Sequence, residues 1–431
     1  MTNNMRRDFS SRDELISYLR KEFPSAAAID NHIGDIRGGR KAAEFALSQT
    51  DPRLYSRTRN TLDGAVTRLS PYIRHGVLNL AEVRDYALQR VEAPKEAESL
   101  IRELGFRDYF QRVYQAIGEE IWQDQEDSKT GYPPSAYSST LPPDIHNAST
   151  RMACIDAFSK QLRESGYLHN HARLWLAAYI IHWRHVQWQA GARWFLTHLL
   201  DGDPASNNLS WQWVAGTFSS KPYFFNRENL EKYTAGVYCQ VCPLKGKCDF
   251  EGSYTTLEAR LFPQRNQGAE AIPVPKRWTS KEPNSSQHQL HHPIIWIHGN
   301  NLSPYQPSLK KYPSAQAVWV WDDDLLRTRK ISLKRIVFMY ECLLELPVSI
   351  RRGPVSVVVN EFANEQDADG IVTCYSNAPR FRQIQQELSQ NRPIEALDPK
   401  PFIQYKGPLE LKRFSHYWRT VETYAFQAAT D

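Results

Sequence analysis

Residues 167–213 constrain the fold of this chain most, because tryptophans, acidic residues and an Asn pair are set along an otherwise helical pattern. Apolar residues recur at helical spacing, which predicts one or two amphipathic helices over residues 168–200. The Asp-Gly-Asp-Pro sequence that begins at Asp201 ends this pattern, and Asn207 and Trp211 follow in the next element. These side chains can hold a polar heteroaromatic ring, although a tryptophan-rich core in which Asp201 ends a helix explains the pattern more simply.

The composition agrees with an intracellular globular enzyme, and the length of 431 residues predicts two or three domains. The formal net charge of +5 is a mild basic excess, which is compatible with binding to a phosphate backbone. The sequence contains no long uncharged apolar run, and its first residues are polar and lack the apolar segment of a secretory signal. We therefore expect a cytoplasmic protein without a membrane span.

The chain changes character along its length, which predicts a helical domain followed by an α/β domain. Residues 1–268 show helical periodicity, with a capping signal at Ser11, and include a cysteine loop at 239–248. Residues 269–292 are rich in Pro, Ser, Gln and His and are predicted to form an exposed linker. In residues 293–431 short β-rich runs alternate with helical ones, which favours a doubly wound parallel sheet. The runs in question are IIWIHG, AVWVWDDD, KISLKRIVFMYECLLEL, VSVVVNEF, GIVTCYS and RFRQIQQEL.

The cysteines indicate a separate site. Cys239, Cys242 and Cys248 lie in one short loop, and an odd number of thiols does not suit a set of intracellular disulfides. A tetrahedral zinc or an iron-sulfur cluster needs a fourth ligand, for which Cys154 is the candidate. From spacing alone zinc and iron-sulfur are equally suitable, and a loop of unliganded thiols is a third alternative. Two further cysteines lie in apolar runs and are predicted to be buried small hydrophobic residues, namely Cys342 and Cys374.

Three separated motifs resemble those of the photolyase/cryptochrome family, in the family's order and with near-family spacing. Together they extend over roughly 150 residues. The motifs are TRLSPY at 67–72 with GVL at 76–78, then ELGFRDYF at 103–110, and finally GYLHNHAR at 166–173 with Trp188, DGD at 201–203, NN at 207–208, WQW at 211–213 and KPYFFN at 221–226.

The resemblance implies a helical FAD-binding domain and an α/β antenna domain. Family members carry the antenna domain first, whereas here the α/β runs follow the flavin motifs, so the chain resembles a circularly permuted member. The QPSL sequence at 306–309 and a strand that ends at Asp322 resemble the antenna domain, but its usual first-strand motif is lacking. The resemblance therefore implies an antenna chromophore of unknown identity at most.

FAD is the cofactor that the resemblance implies, and the resemblance also implies which residues of this chain bind it. Arg173 would pair with Asp201 beside the isoalloxazine, and Asp203 would receive a hydrogen bond from the ring or from the adenine end. Asn207 would face N5, and hydroxyl, backbone and Arg groups near Ser70 would hold the diphosphate. A plainer interpretation of Ser70-Pro71 is a helix N-cap followed by an N1 proline. The full set is Tyr55, Thr67, Arg68, Leu69, Ser70, Arg107, Arg173, Asp201, Asp203 and Asn207.

The activity implied is light-driven repair of damaged DNA. In the family, light excites fully reduced FAD, which donates an electron to a cyclobutane pyrimidine dimer flipped out of the duplex. Trp211 and Trp188 would carry an electron inward, with Trp183 or Trp194 as undecided outer members. Glu103 and Asn170 would contact the dimer, and Phe106 and Trp213 would contact the DNA. The alternatives are a cryptochrome-type blue-light receptor, a (6-4) photolyase and a non-photochemical nucleic-acid-binding module; a monomer is the expected oligomeric state.

The cysteine set resembles that of the iron-sulfur bacterial branch of the family. This resemblance favours a four-iron, four-sulfur cluster held by Cys154, Cys239, Cys242 and Cys248. The chain departs from that branch in having only five residues between Cys242 and Cys248.

Overall fold

The structure is a computed structural model that describes residues 4–263 and 289–427. Within these residues the first part of the chain is helical. Its helices are α1 (Arg12–Glu22), α2 (Pro24–Ile29), α3 (Arg40–Ser48), α4 (Pro52–Thr58), α5 (Ser70–Arg74), α6 (Leu80–Gln89), α7 (Glu98–Ile117), α8 (Pro143–His146), α9 (Ala153–Ser165), α10 (Asn170–Ala178), α11 (Trp188–His198), α12 (Pro204–Ala215), α13 (Arg227–Thr234) and α14 (Tyr254–Leu261). Short 3₁₀ turns occupy Pro94–Ala97, Gly118–Trp122 and Pro134–Ala136, and a π turn occupies Tyr179–Trp183.

The second part of the chain is an α/β unit with a parallel sheet, as predicted. Its five described strands lie in the order β3-β2-β1-β4-β5, and all neighbours pair in parallel. The elements are β1 (Ile294–Ile297), α15 (Pro307–Lys311), β2 (Ala317–Trp321), α16 (Asp323–Thr328), α17 (Leu333–Leu344), β3 (Val348–Arg352), α18 (Val355–Glu365), β4 (Ile371–Cys374), α19 (Pro379–Ser389), β5 (Ile394–Leu397) and α20 (Phe414–Ala425).

Local sequence explains most of these elements, but one run that is rich in β-branched residues forms a helix and not a strand. Ser11 caps α1 and accepts a hydrogen bond from the Glu14 amide, as its position predicts. The run VSVVVNEF, which is rich in β-branched residues, lies in helix α18. Its buried side chains are spaced as on one face of a helix, so packing against the sheet outweighs their preference for strands. These side chains are Val355, Val358, Val359 and Phe362.

The helical run over residues 168–200 is divided into α10, the π turn and α11. His185 has a φ of 46°, in the left-handed region, which interrupts the helical backbone before α11 begins at Trp188. Two helices are thus present, with Trp188 at the start of the second.

The helical and α/β units share one hydrophobic core. Helix α1 packs on α17, and the last helix, α20, packs on α7. This second contact requires a glycine, because a Cβ atom on Gly105 would lie 2.2 Å from the Trp418 ring. At the other end of the chain, the Met5 amide donates a hydrogen bond of 2.8 Å to the carbonyl oxygen of Ile350 in β3.

The predictions of an exposed linker and of a chain without a membrane span are tested only in part. Residues 269–288 of the predicted linker lie outside the described residues, so the domain boundaries stay predictions. Across residues 4–263 and 289–427, no helix is both long enough and apolar enough to cross a membrane.

Candidate functional site

A cavity of about 280 Å³ lies inside the helical unit, close to the lower end of the range of about 300–1,000 Å³ that is usual for ligand pockets. Helices α4, α5, α7, α10, α11 and α12 contribute its walls. The structure thereby brings together residues that are far apart in the sequence. The predicted site residues that line it are Tyr55, Thr67, Ser70, Glu103, Phe106, Arg107, Asn170, Arg173, Asp201, Asn207 and Trp211.

A buried ion pair forms the polar end of the cavity. The Arg173 guanidinium donates a hydrogen bond of 2.8 Å from Nη2 to Asp201 Oδ2, and a second one, from Nε to the carbonyl oxygen of Leu168. Burial raises the pKa of Asp201, but the charge and hydrogen bond of Arg173 outweigh it and hold this pKa below its usual value. Asp201 therefore stays ionised.

The other oxygen of Asp201 is unsatisfied within the described residues, although the Ser70 hydroxyl lies close enough to Asp201 to help lower its pKa. Asp201 Oδ1 is buried and has no hydrogen-bond partner in the part of the chain that the structure describes. Because a buried carboxylate oxygen without a donor is costly, this atom is an acceptor suited to an N–H group of a ligand.

Asp203 lies outside the cavity lining and caps helix α12. Its Oδ2 atom accepts hydrogen bonds from the amide and hydroxyl of Ser206, at 3.0 and 2.9 Å, and from Gln111 Nε2, at 2.8 Å. Arg107 Nη1 is 3.5 Å away from the same oxygen. The carboxylate therefore fixes the start of the helix that carries Asn207 and Trp211, and its predicted contact with a cofactor stays a prediction.

Three further predicted residues also lie outside the lining. Leu69 is buried, and Arg68, with a φ of 52°, places its guanidinium 5.6 Å from the Tyr167 ring centroid. Trp213 is 42% exposed and lies against Tyr223, with ring centroids 5.3 Å apart. Helix α5 begins at Ser70 with Leu69 as its N-cap, so the Ser70 hydroxyl, which lines the cavity, is not used as the cap.

Glu103 belongs to an ion pair on the wall formed by α7. Its Oε1 atom accepts a hydrogen bond of 2.6 Å from Arg59 Nη1. The Tyr55 ring lies beside this pair, and burial together with the charge of Glu103 raises the pKa of the Tyr55 hydroxyl to about 12. Tyr55 is therefore a neutral hydrogen-bonding group at neutral pH.

Three tryptophans lie on or against helix α11 or stack on one that does, namely Trp211, Trp188 and Trp122. The Trp211 ring lies against Gly191 in α11, where an added Cβ atom would be 2.2 Å from it. Trp188, at the start of α11, stacks on Trp122 with centroids 6.4 Å apart and planes 7° apart. Sequence reasoning missed Trp122, because only the tertiary fold brings it to Trp188. The two sequence candidates lie elsewhere: Trp183 against Phe225 and Phe250, and Trp194 against His146 and His198.

The four predicted ligand cysteines line one small cavity between α9 and the cysteine loop, together with Tyr238 and Arg227. Burial raises the pKa of the Cys154 and Cys248 thiols, and it raises the pKa of Cys239 to about 11. None of the described cysteines forms a disulfide. Over the described ranges no group of three or more His, Cys, Asp or Glu residues is already arranged to hold a metal ion, so the thiols would have to draw together around one.

A further cavity, of about 150 Å³, lies at the carboxyl ends of β1, β2 and β4. Trp296 and Phe381 line it and stack with centroids 5.4 Å apart. Arg335, which also lines it, donates a hydrogen bond of 2.6 Å to the carbonyl oxygen of Gly202, beside Asp201. Ligands of open α/β sheets usually bind at this edge.

Part of the helical unit is similar to known proteins. Residues 99–257 match the family described as the FAD binding domain of DNA photolyase. A deoxyribodipyrimidine photo-lyase of Streptomyces griseus is 33% identical over 156 residues, which cover 36% of this chain and 32% of that protein. A cryptochrome DASH of Idiomarina loihiensis is 30% identical over 210 residues, 46% of each protein. A solved bacterial class III photolyase from Agrobacterium tumefaciens is 25% identical and covers 46% of this chain and 44% of its own, with a TM-score of 0.40. The chain spans about a third of the length of the first-mentioned relative.

Proposed function

We propose that this chain, whose helical unit is similar to the FAD binding domain of DNA photolyases, is a light-driven flavoprotein that splits cyclobutane pyrimidine dimers in DNA. The observation that carries the proposal is the meeting of Arg173, Asp201, Asn207 and Trp211 in one cavity within the matched region. When bound, FAD supplies an electron on illumination. The protein residues hold the cofactor, position the lesion and exclude water.

The cavity residues fit a flavin. The unpartnered Asp201 Oδ1 accepts from a ring N–H, and Arg173 keeps this carboxylate ionised and in place. Asn207 donates its Nδ2 hydrogens to the carbonyl oxygen of Ala192 and to Asn208 Oδ1, so its own Oδ1 is held in a defined orientation. Hydroxyl groups of Tyr55, Thr67 and Ser70 suit the diphosphate, with Arg107 as the nearby cation.

The lesion lies, in our proposal, against helix α7 and the start of α10. Glu103 and Asn170 supply an acceptor and an amide for the base edges, and Phe106 supplies an aromatic face. Phe414 stacks on Phe106 with ring centroids 3.5 Å apart, so the α/β unit supports this aromatic wall. The exposed ring of Trp213 on α12 is available to the DNA outside the cavity.

Glu103→Gln tests this placement. Loss of the charge removes both a charged acceptor for the dimer and the Arg59 pair, so we expect repair per absorbed photon to fall about tenfold, as for loss of one charge-assisted hydrogen bond, while FAD occupancy is kept. Repair is measured by chromatography of an illuminated oligonucleotide that carries one cyclobutane dimer.

The matched control is Glu96→Gln, which removes the charge of a half-exposed pair outside the cavity lining, whose Arg53 Nε and Glu96 Oε1 atoms are 3.7 Å apart. We expect this control to repair like the wild type. Equal repair by Glu103→Gln and the wild type would contradict the placement of the dimer. Repair of a (6-4) photoproduct in place of the dimer would contradict the proposed lesion class.

Electron supply to the flavin runs through Trp211 and Trp188, and the Trp122 ring stacks on Trp188. Trp188→Phe keeps an aromatic ring at this position, but phenylalanine is much harder to oxidise than tryptophan. We therefore expect photoreduction of bound FAD to slow by at least about tenfold. The measurement is flavin absorbance under blue light with an external reductant. Trp194→Phe, on the same helix and packed against His198, is the control and should photoreduce normally. Unchanged photoreduction in Trp188→Phe would refute this path.

A blue-light receptor is the second candidate, because the similar cryptochrome DASH covers 46% of this chain. Such a receptor would keep the flavin and the tryptophans. It would show photoreduction without repair, so the two measurements above separate the two functions.

The order of the domains supports circular permutation as part of this proposal. The parallel sheet follows the flavin-binding helices in the chain, yet both units share one core, and the first and last described segments pack on β3 and α7. Each terminal segment thus packs against the other unit, as expected if a family member's two domains were joined in the opposite order.

We also propose that Cys154, Cys239, Cys242 and Cys248 bind a four-iron, four-sulfur cluster. The number and kind of donors suit such a cluster, because four thiols line one cavity and a protein-bound cuboidal cluster takes four thiolates, but the thiols must draw together to bind it. The cluster would tie the loop to α9 and stabilise the flavin-binding unit. In the α/β unit, the cavity beside Trp296 and Phe381 is the place suited to an antenna chromophore.

A further inference from the structure

The indole N–H of Trp188 has a charged partner. Trp188 is 4% exposed, and its Nε1 donates a hydrogen bond of 2.6 Å to Asp124 Oδ1. This length is at the short end for N–H···O bonds, as expected when the acceptor carries a charge. The short segment that supplies Trp122, the ring stacked on Trp188, also supplies this carboxylate.

Asp124 has a polar route to solvent. As a residue it is exposed, while the contact with Trp188 is partly buried. It lines a cavity of about 150 Å³ together with Ser128, Tyr132, Gln187 and Trp188. Burial raises the pKa of Asp124, the hydrogen bond from Trp188 opposes this rise, and the charge of Asp127 adds to it. Because the net shift is upward, the carboxylate is a better proton acceptor than an ordinary aspartate.

The surroundings of the two stacked rings favour a positive charge on Trp188. The carboxylate of Asp124 lies against Trp188, whereas the guanidinium of Arg193 lies 4.6 Å from the centroid of the Trp122 ring. A cation over a ring opposes the loss of an electron from that ring, and a carboxylate beside an indole favours it. An electron vacancy is therefore more stable on Trp188 than on Trp122.

We propose that Asp124 is the proton acceptor that traps oxidised Trp188 as a neutral radical. The step rests on the proposed function, in which a photoexcited oxidised flavin is the one-electron oxidant and acts through Trp211. Trp188 loses one electron, its indole N–H bond breaks, and an O–H bond forms on Asp124 Oδ1. The electron passes through Trp211 to the flavin, and the proton passes to Asp124. The products at this site are a neutral indole radical and a neutral carboxylic acid, so atoms, electrons and charge balance. Return of the electron then requires return of the proton, which slows recombination.

Asp124→Asn tests the step, because the amide oxygen still accepts the indole hydrogen bond but does not take the proton. In the FAD-loaded wild type, a light flash should produce the absorption of the neutral indole radical, at a rate that slows in D₂O. In Asp124→Asn we expect the radical cation in its place, without the isotope effect, and a radical lifetime shorter by at least about tenfold.

Two controls separate the trap from a general effect on folding. Asp127→Asn removes a carboxylate from the same loop but keeps the Asp124 carboxylate and its hydrogen bond to Trp188, so it should still form the neutral radical with the isotope effect. Trp122→Phe should still form the neutral Trp188 radical. In unilluminated protein labelled with ¹⁵N-tryptophan, Asp124→Ala should shift the indole proton resonance of Trp188 upfield, which checks the hydrogen bond without any photochemistry.

The outcomes distinguish this assignment from the function on which it rests. A neutral radical with an unchanged isotope effect in Asp124→Asn, or an unshifted Trp188 resonance in Asp124→Ala, overturns the role of Asp124 and leaves the flavin function standing. A wild-type protein that binds FAD but forms no tryptophan radical overturns the electron path, and this assignment with it.

Discussion

Replacing Asp201 by alanine is expected to lower the affinity of the protein for FAD at least about tenfold, because it leaves Arg173 in the cavity without its charged partner. Removing one partner of a buried pair usually lowers the free energy of unfolding by about 3–5 kcal/mol. The lower end of this range applies here because the Arg173 side chain is 25% exposed. The variant also loses the Oδ1 acceptor. Occupancy is measured as the ratio of flavin to protein absorbance after purification, and affinity by titration of the apoprotein.

Asp144→Ala is the matched control for Asp201→Ala. It also removes an aspartate that receives hydrogen bonds from an arginine, Arg184, but this pair is more exposed and lies away from the cavity. Pairs of that kind contribute about 0–1 kcal/mol, so we expect normal FAD binding. Full occupancy in Asp201→Ala would contradict the assignment of the cavity.

Replacing Cys154 by alanine is expected to remove most of the iron. With three thiolates left, a four-iron cluster lacks a protein ligand, so iron should fall from about four per chain to below about one. Loss of the cluster should also lower solubility and the unfolding temperature, because metal binding contributes to folding. Iron and zinc are measured by elemental analysis, together with thermal unfolding followed by circular dichroism.

Cys342→Ala is the control for iron content, since Cys342 is equally buried but lies in α17, far from the cysteine loop in the sequence. Its thiol accepts a hydrogen bond from the Gly39 amide and should not affect iron. Zinc in the wild type, or four irons that persist after Cys154 is removed, would refute the ligand set.

The residues proposed to bind flavin could be predicted from their resemblance to the photolyase/cryptochrome motifs, whereas a tryptophan-rich core explains the residue pattern alone more simply. The tertiary fold brings Arg173, Asp201, Asn207 and Trp211 into one cavity, although the rest of α10, the π turn and α11 separate the first two in the sequence. The parallel sheet could be predicted from the sequence pattern itself, since its apolar strands stand out from the helical runs.

Other features depend on tertiary structure and could not be predicted. Trp122 and Asp124 reach Trp188 only because the segment after α7 folds against α11. Asp203 resembles a cofactor ligand in the sequence, yet in the structure it caps α12. The run of β-branched residues in α18 adopts a helix because one face of that helix covers the sheet.

Light-dependent repair tests the central claim most directly. The FAD-loaded protein, reduced and mixed with an oligonucleotide that carries one cyclobutane thymine dimer, is illuminated with blue light, and a second sample is kept in the dark. We predict that the dimer is converted to two thymines in the illuminated sample alone, in proportion to the light dose. An intact dimer after illumination, in a protein that holds reduced FAD, would contradict the account.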